Sequence, residues 1–426
     1  MSSNPSGIFN PSKLQPLFWV MYFIVSFRLF ARFPAGNIDE ILLLLVLLIL
    51  LIFCGYEFIT QLYHGKLNRI LFILLPLIVL PFINAWQAER VFGQPMIYGI
   101  LAQRQSYLIL SAWFIVIALR RNLIPIKKIE SYFILAMYVM LAIMYFFYLF
   151  IDPNKFAETE FVVYSFSKGW VYKFPNGVTA GLLIFSFVKI ILQDKKRYIA
   201  PFLICLWYFI YYGQDRSQLV FIVVTLAFLY LNTTTLRRKI VYGLTSFIFI
   251  ALAAVAIALF NPDLYSRYIE LYTNASSIFT KNSSTESSTN IRFVEAVIAT
   301  KGFNEHPVLG NGVLSNQWYD GYFRYYKYFY PSDVGILGNL YVFGIVGTLF
   351  FYIPYFFVLA WAIQLRRVKD PLYLTGVYGT LFLFFDMFTA ASNLTFIGLP
   401  AFFFGIVYYY RYHVYPPGEL SSQTTQ

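Results

Sequence analysis

Charge is what this sequence has least of. Of its 426 residues only 12% are Asp, Glu, Lys or Arg while 59% are hydrophobic, against about 25% and 45–50% in an ordinary soluble domain. That balance excludes a water-soluble fold. Histidine is almost missing, with His64, His306 and His413 the whole supply. There is no HExxH, no CxxC and no group of acidic residues at metal-ligand spacing, so neither a metal site nor a cofactor is expected. The absence of a P-loop and of a GxSxG elbow removes support for nucleotide hydrolysis and α/β-hydrolase chemistry. The two cysteines, Cys54 and Cys205, lie in apolar runs and offer neither a disulfide ladder nor a zinc spacing. No cleavable signal is evident, since the start MSSNPSGIFNPSK is polar and no small-residue cleavage site follows the first apolar run. No internal repeat is visible, so the inverted duplication of many transporters is not supported.

What is abundant is aromatic. Phe, Trp and Tyr make up 21% of the chain, with 36 Tyr, and an amphipathic ring suits the water–lipid boundary. A spanning helix needs about 20 mostly apolar residues. Twelve runs qualify: Leu17 to Ala31, Ile41 to Ile59, Ile70 to Trp86, Met96 to Leu119, Tyr132 to Ile151, Gly177 to Leu192, Ile199 to Tyr212, Ser217 to Leu231, Ile240 to Phe260, Gly335 to Ile363, Leu372 to Phe388 and Phe396 to Tyr410. The expected fold is therefore an all-α polytopic membrane protein with about twelve transmembrane helices.

Orientation follows from the basic residues. Alternate connections carry seventeen Lys and Arg on one side, among them Arg120, Arg121, Arg366 and Arg367, against Arg32, Arg90 and Arg216 in the short connections of the other. The positive-inside rule puts both termini in the cytoplasm and explains the net charge of +12 without nucleic acid. Residues 1–260 then form spans one to nine, 261–334 one large external loop, 335–410 spans ten to twelve, and 411–426 a cytoplasmic tail. The loop opens with the polar stretch NASSIFTKNSSTESSTN, a lid or spacer by composition. After it, Asn290 is placed to cap a helix over Ile291 to Lys301 that stops at Gly302, with Ile291, Val294, Val297 and Ile298 as its apolar stripe.

Charges inside spans are costly and mark cavities or functional sites. Arg104 lies eight residues into the fourth run, about 12 Å deep at 1.5 Å per residue, beside Gln103 and Gln105. Its alternative is a snorkelling or structurally paired arginine. Arg28 and Arg216 lie near the outer ends of spans one and eight, and Asp333 and Asp386 near those of spans ten and eleven. Glu57 and Lys189 lie near cytoplasmic ends, where they can reach water as structural anchors. Several arginines converging on one outer cavity suit a phosphate or diphosphate group, because the planar guanidinium matches its oxygens. A lipid-linked diphosphate sugar fits that requirement.

At this point the sequence resembles the bacterial O-antigen polymerase and O-antigen ligase superfamily. The late outer loop carries Arg292 followed by Pro307, Gly310 and Gly312; the tenth span opens SDVGILGNLYVFGIVG; VFGQPMIYGILAQR places Arg104 where related exopolysaccharide polymerases carry an intramembrane arginine; and GQDRSQ supplies an Arg216–Ser217 pair. The resemblance implies a GT-C-like membrane glycosyltransferase of the bacterial inner membrane. Its substrate would be an undecaprenyl-diphosphate-linked oligosaccharide met in membrane lipid, with a chain-length regulator and a flippase as partners. Ligases carry a His ahead of the glycine-rich span where this chain has Ser332 and Asp333, which favours a polymerase of O-antigen or exopolysaccharide repeat units.

On that reading Asp333 is the first candidate base, with His306 and Glu305 behind it. Arg292, Arg104 and Arg216 hold the diphosphate, with Arg28 and Gln103 beside them. Tyr330 heads a run of tyrosines suited either to sugar stacking or to an interfacial belt. For Arg292 the plain alternative is a surface salt bridge with Glu295 one turn on. The alternatives of function are ligation of glycan to a lipid A core and a lipid-linked glycan flippase, the last of which needs charge along the whole membrane depth.

Overall fold

The computed structural model describes residues 11–416 apart from 31–36, 66, 158, 160, 166–168, 175, 214–215, most of 235–286, 328 and 391–396. Helices dominate. Those that open the chain are α1 (Pro11–Phe27), α2 (Asn37–Tyr63), α3 (Arg69–Phe92), α4 (Met96–Ala102), α5 (Leu110–Arg120) and α6 (Ile126–Phe150). They are followed by α7 (Gly177–Gln193), α8 (Ile199–Trp207), α9 (Arg216–Thr233), α10 (Ser287–Glu305), the single turn α11 (Phe323–Tyr326), α12 (Gly335–Gln364), α13 (Pro371–Thr389) and α14 (Gly398–Tyr409). The ninth expected run, Ile240 to Phe260, and most of the polar stretch that opens the large loop lie outside the described residues.

Among the described residues, five helices are long and apolar enough to cross a membrane: Ile38–Tyr63, Arg69–Phe92, Ile126–Phe150, Pro331–Gln364 and Pro371–Thr389. Met96–Ala102 and Arg104–Arg120, bent by 49° at their junction, make a sixth if counted as one. Pro16–Phe27, Gly177–Gln193 and Ser217–Thr233 are apolar but shorter. The chain is thus a multi-pass helical membrane protein, with five or six full-length spans among the described residues against the twelve expected over the whole chain. Two of the expected runs are interrupted. The expected fourth run breaks into a 3-10 turn at Arg104–Ile109, and the seventh passes into a π-helical turn at Tyr208–Gly213. The all-α expectation also gives way in the connection between α6 and α7, where Val162–Ser165 and Gly169–Tyr172 pair as an antiparallel hairpin.

One core joins the first, fifth and last helices. The Tyr22 hydroxyl donates to the Gly398 carbonyl at 2.9 Å, and since it has one proton it accepts from Ser111 Oγ, also at 2.9 Å. Glu57 and Lys189, expected to reach water, instead turn inward and are 6% and 5% exposed. Each finds a partner of opposite sign, Arg121 at 2.5 Å and Glu130 at 2.6 Å, as a buried charge must.

The described part of the long loop before α12 folds back onto the bundle. Its helix α10 begins before Asn290 and runs through Gly302, because Gly302 meets the Tyr341 ring where a Cβ would have no room; it serves close packing, not termination. The expected stripe is mostly turned outward as well, with Ile298 half-buried against the core. Ile291, Val294 and Val297 are exposed, while Glu295 and Ala299 face the bundle at 1% and 0% exposure.

After α10 the chain threads against a break in α12. Gly344 adopts φ 60° and ψ −167° inside that helix, which frees backbone groups that cannot stay unpaired in a membrane. The loop supplies their partners. Asn311 and Gly312 donate to the carbonyls of Tyr341 and Val342 at 2.8 and 2.9 Å, while Ile345 and Val346 donate to Pro307 and Val308 at 2.9 and 3.2 Å. A Cβ on Gly310 would strike the backbone at Val342 and Gly344, and one on Gly344 would strike Val308 and Gly310, so two glycines with left-handed φ make the interlock possible. From the other side, α3 and the residues after it grip the same loop. Gln87 Nε2 donates to the Gly310 carbonyl at 2.9 Å, and Gln94 both donates to the Val313 carbonyl at 3.0 Å and accepts from the Ser315 N–H at 2.7 Å.

Candidate functional site

The loop end of the bundle carries two separate polar groupings, set at opposite ends of α10. Near its start, Arg292, Tyr330 and Asp333 gather around Glu295. Glu295 Oε1 accepts the Tyr330 N–H at 3.0 Å, while Oε2 is buried without a hydrogen bond. Burial pushes this carboxyl above its ordinary value, the nearby Asp333 charge adds to the rise, and the Tyr330 N–H and Arg292 oppose it. Tyr330 is followed by a 3-10 turn, Pro331–Val334, in which the Asp333 N–H donates back to the Tyr330 carbonyl at 2.9 Å. Ser332 Oγ donates to Asp333 Oδ1 at 3.1 Å. Arg292, Asp333 and the Tyr330 ring are all exposed. The surface salt bridge of Arg292 with Glu295 does not form, since Glu295 is turned inward to the Tyr330 backbone.

At the other end of α10, thirteen residues and about 20 Å farther along at 1.5 Å per residue, lies a cavity of about 470 Å³ lined by Gln87, Arg90, Glu305, His306 and Val308 among others. Arg90 places its guanidinium over the Trp86 ring at 4.8 Å, an arrangement that fixes the side chain without neutralising it. Gln87 Oε1 is buried there without a partner. Glu305 and His306 therefore fall together, but away from Arg292 and Asp333.

The structure resolves the intramembrane arginine differently from a free cation. Arg104 stands at the helix break, in a 3-10 turn and not eight residues into a continuous helix. It forks onto Glu40 of α2, through Nε to Oε2 at 2.6 Å and through Nη2 to Oε1, and Nη1 donates to the Leu101 carbonyl at 2.6 Å. Arg28 lies 3.9 Å from the neighbouring Asp39. Gln103 repairs the break itself: its Nε2 donates to the carbonyls of Pro81 and Gly99 at 3.2 and 3.0 Å, and its Oε1 accepts from Asn84 at 3.0 Å. The Arg216 side chain lies outside the described residues.

Two residues escape the sequence reading. Glu295 was legible only as a surface partner for Arg292, because its burial depends on which face of α10 docks. Arg90 had a faint signal, as one of three basic residues in the short outer connections. Among the described residues no three His, Cys, Asp or Glu side chains converge so as to hold a metal ion.

Residues 201–352 match the family described as O-antigen ligase, a similarity that agrees with the resemblance read from the sequence. The match begins in α8 and takes in α9, α10, the interlocking loop and the Gly344 break. No curated protein matches the chain.

Proposed function

We propose that this chain polymerises lipid-linked polysaccharide repeat units, O-antigen or exopolysaccharide, at the outer face of the bacterial inner membrane, with both termini in the cytoplasm. The observation that carries the reading is the docking of Glu295 on Tyr330. It holds an arginine-bearing helix against a turn that presents Asp333, with both side chains exposed at the loop end of the bundle.

In this reading a hydroxyl of one lipid-linked unit attacks the anomeric carbon of another. The new C–O bond forms as the anomeric C–O bond to the diphosphate breaks, and inversion follows from attack opposite the leaving group. Asp333 takes the hydroxyl proton. Arg292 opposes the negative charge that grows on the departing undecaprenyl diphosphate, with Arg216 as a second cation, and Tyr330 offers a ring for a sugar to stack on. Arg104 and Arg28 are already matched to carboxylates of α2, so their assignment here is to hold that helix and the fourth-run break in place. Gln103 works with them.

Ligation of the glycan to a lipid A core is the second reading, favoured by the family description and by the cavity holding Arg90, Glu305 and His306, where a histidine would be the base. Purified protein in liposomes, given lipid-linked repeat units and nothing else, separates the readings. Longer chains without nucleotide are the expected product. Transfer only when a core acceptor is added would establish ligation, and movement of the lipid with unchanged glycan length would establish a flippase.

A further inference from the structure

The end of the bundle remote from the loop holds a second cavity, larger than the first, for which the proposed glycosyl transfer has no use. It encloses about 610 Å³ and is lined by Arg69, Arg120, Arg121, Glu57, His64 and His413, together with two tyrosines. Its distance from the loop end follows from α3, whose first residue is Arg69 and whose last turns grip the loop. That helix has 24 residues, hence a length of about 36 Å.

The walls are built, not casual. Buried Glu57 binds Arg121 at 2.5 Å and accepts from Gln61 Nε2 at 2.8 Å. Gln61 Oε1 accepts the Asn68 N–H at 2.9 Å, and Asn68 Oδ1 accepts the Tyr408 hydroxyl at 3.1 Å. One chain of hydrogen bonds thus ties α2, α3, α5 and α14 around the opening. The one carboxylate lining the cavity is spent on Arg121, and Arg69 and Arg120 form no ion pair among the described residues. His413, held below the ordinary histidine value by burial and by Arg120, stays neutral at neutral pH and offers a hydrogen bond without adding charge. Tyr408 and Tyr412, with ring centroids 4.6 Å apart, form an apolar wall.

An excess of basic residues at this end is expected from the positive-inside rule alone. That rule asks only for charge near the boundary, and Arg366 and Arg367 satisfy it in an exposed turn. It does not ask for guanidinium groups brought from two helix ends to one frame. We propose that this cavity binds a phosphate-bearing anion, its oxygens forked by Arg69 and Arg120 with Arg121 behind them. Planar, permanently charged donors select phosphate, and the volume admits a headgroup-sized ligand. A lipid headgroup and a soluble phosphate share this chemistry, and basic pockets between helices at such a boundary suit the former.

The full-length protein tests it in two arms. In lipid-free detergent, thermal stabilisation by inorganic pyrophosphate reads a soluble ligand. After extraction from bilayers of phosphatidylglycerol and phosphatidylethanolamine, native mass spectrometry reads retained phosphatidylglycerol. The wild type is expected to respond in at least one arm, and the paired change Arg69→Gln with Arg120→Gln to weaken that response about tenfold or more. The pair Arg69→Lys with Arg120→Lys keeps the charge and the fold and is expected to lose several-fold through the missing fork. The pair Arg366→Gln with Arg367→Gln is expected to bind as the wild type does. No response in either arm, or equal loss in the Arg366 and Arg367 pair, overturns the proposal.

Discussion

Glu295 on α10 accepts the backbone N–H of Tyr330 at 3.0 Å across 35 residues of chain. Through that one bond the loop helix and the turn that opens α12 become a single piece. A carboxylate is a costly way to hold an N–H where burial is nearly complete, and the cost shows in its raised affinity for protons. The geometry gives it a positioning role: it fixes Tyr330, and Tyr330 in turn fixes Asp333 through its own carbonyl.

Replacing Glu295 separates its shape from its charge. Glu295→Gln keeps an oxygen for the Tyr330 N–H and is expected to leave α10 docked, whereas Glu295→Ala strands that N–H at a cost of about 1–3 kcal/mol. Because the folded carboxyl lies above its ordinary 4.5, its contribution to stability is fully present below pH 4.5 and is lost as pH rises toward the folded value. Hydrogen exchange at the Tyr330 amide, corrected for intrinsic rate, should show protection falling with pH above 4.5 in the wild type and a flat profile in Glu295→Gln. The same slope in both would remove the carboxyl from the account.

The interlock at the helix break makes a graded prediction about glycine. Gly65 and Gly344 both have left-handed φ, 64° and 60°, but a Cβ at 65 meets nothing within 4 Å while one at 344 meets backbone atoms of Val308 and Gly310. Gly65→Ala should cost only the left-handed strain, about 1–2 kcal/mol. Gly344→Ala should cost more and release the loop, seen as new protease sensitivity between Pro307 and Ser315. Equal melting shifts for the two variants would mean that the loop does not depend on the break.

Most of the helical framework was legible because apolar run length is a direct consequence of hydrocarbon thickness, and eleven of the twelve runs coincide with helices. Their completeness was not. The break at Gln103 and Arg104 has an apolar composition on both sides, and only the side-chain bonds of Gln103 to Pro81 and Gly99 reveal why the backbone can stop there. The glycines of the tenth run were visible, but that Gly344 meets Gly310 is a relation between distant segments that no local pattern encodes. The site was half legible. Arg292, Tyr330 and Asp333 lie together around Glu295, while Arg104 and Arg28 meet carboxylates because the acidic pair Asp39–Glu40 at the start of α2 points at them.

That pairing yields a double-variant test. Arg104→Gln alone leaves Glu40 unmatched in a partly buried position and should lower the melting temperature; Glu40→Gln alone should do the same. If the pair is a structural clamp, the combined variant recovers stability and most activity, since neutral partners replace charged ones. An arginine that bound donor diphosphate would behave otherwise. The combined variant would then be stable and inactive, and Arg104 would return to the site.

The last prediction asks whether Arg292 and Asp333 divide the chemistry as assigned. Arg292 is exposed on α10, so Arg292→Ala should leave melting unchanged within about 0.5 kcal/mol, as surface substitutions commonly do. Its effect should fall on donor use, raising the donor concentration needed for half-maximal elongation. Asp333→Asn is nearly isosteric and can still accept from Ser332, but it cannot take a proton. General-base catalysis is worth roughly 10²–10⁴-fold, so single-turnover elongation should slow by at least about a hundredfold with donor binding retained. His306→Gln, just past the end of the same helix and about 20 Å along it from Arg292, should elongate within a few-fold of the wild type. The reverse pattern, with His306→Gln inactive and Asp333→Asn slowed by less than about tenfold, would move the reacting centre to the cavity beside Arg90 and with it the choice of base.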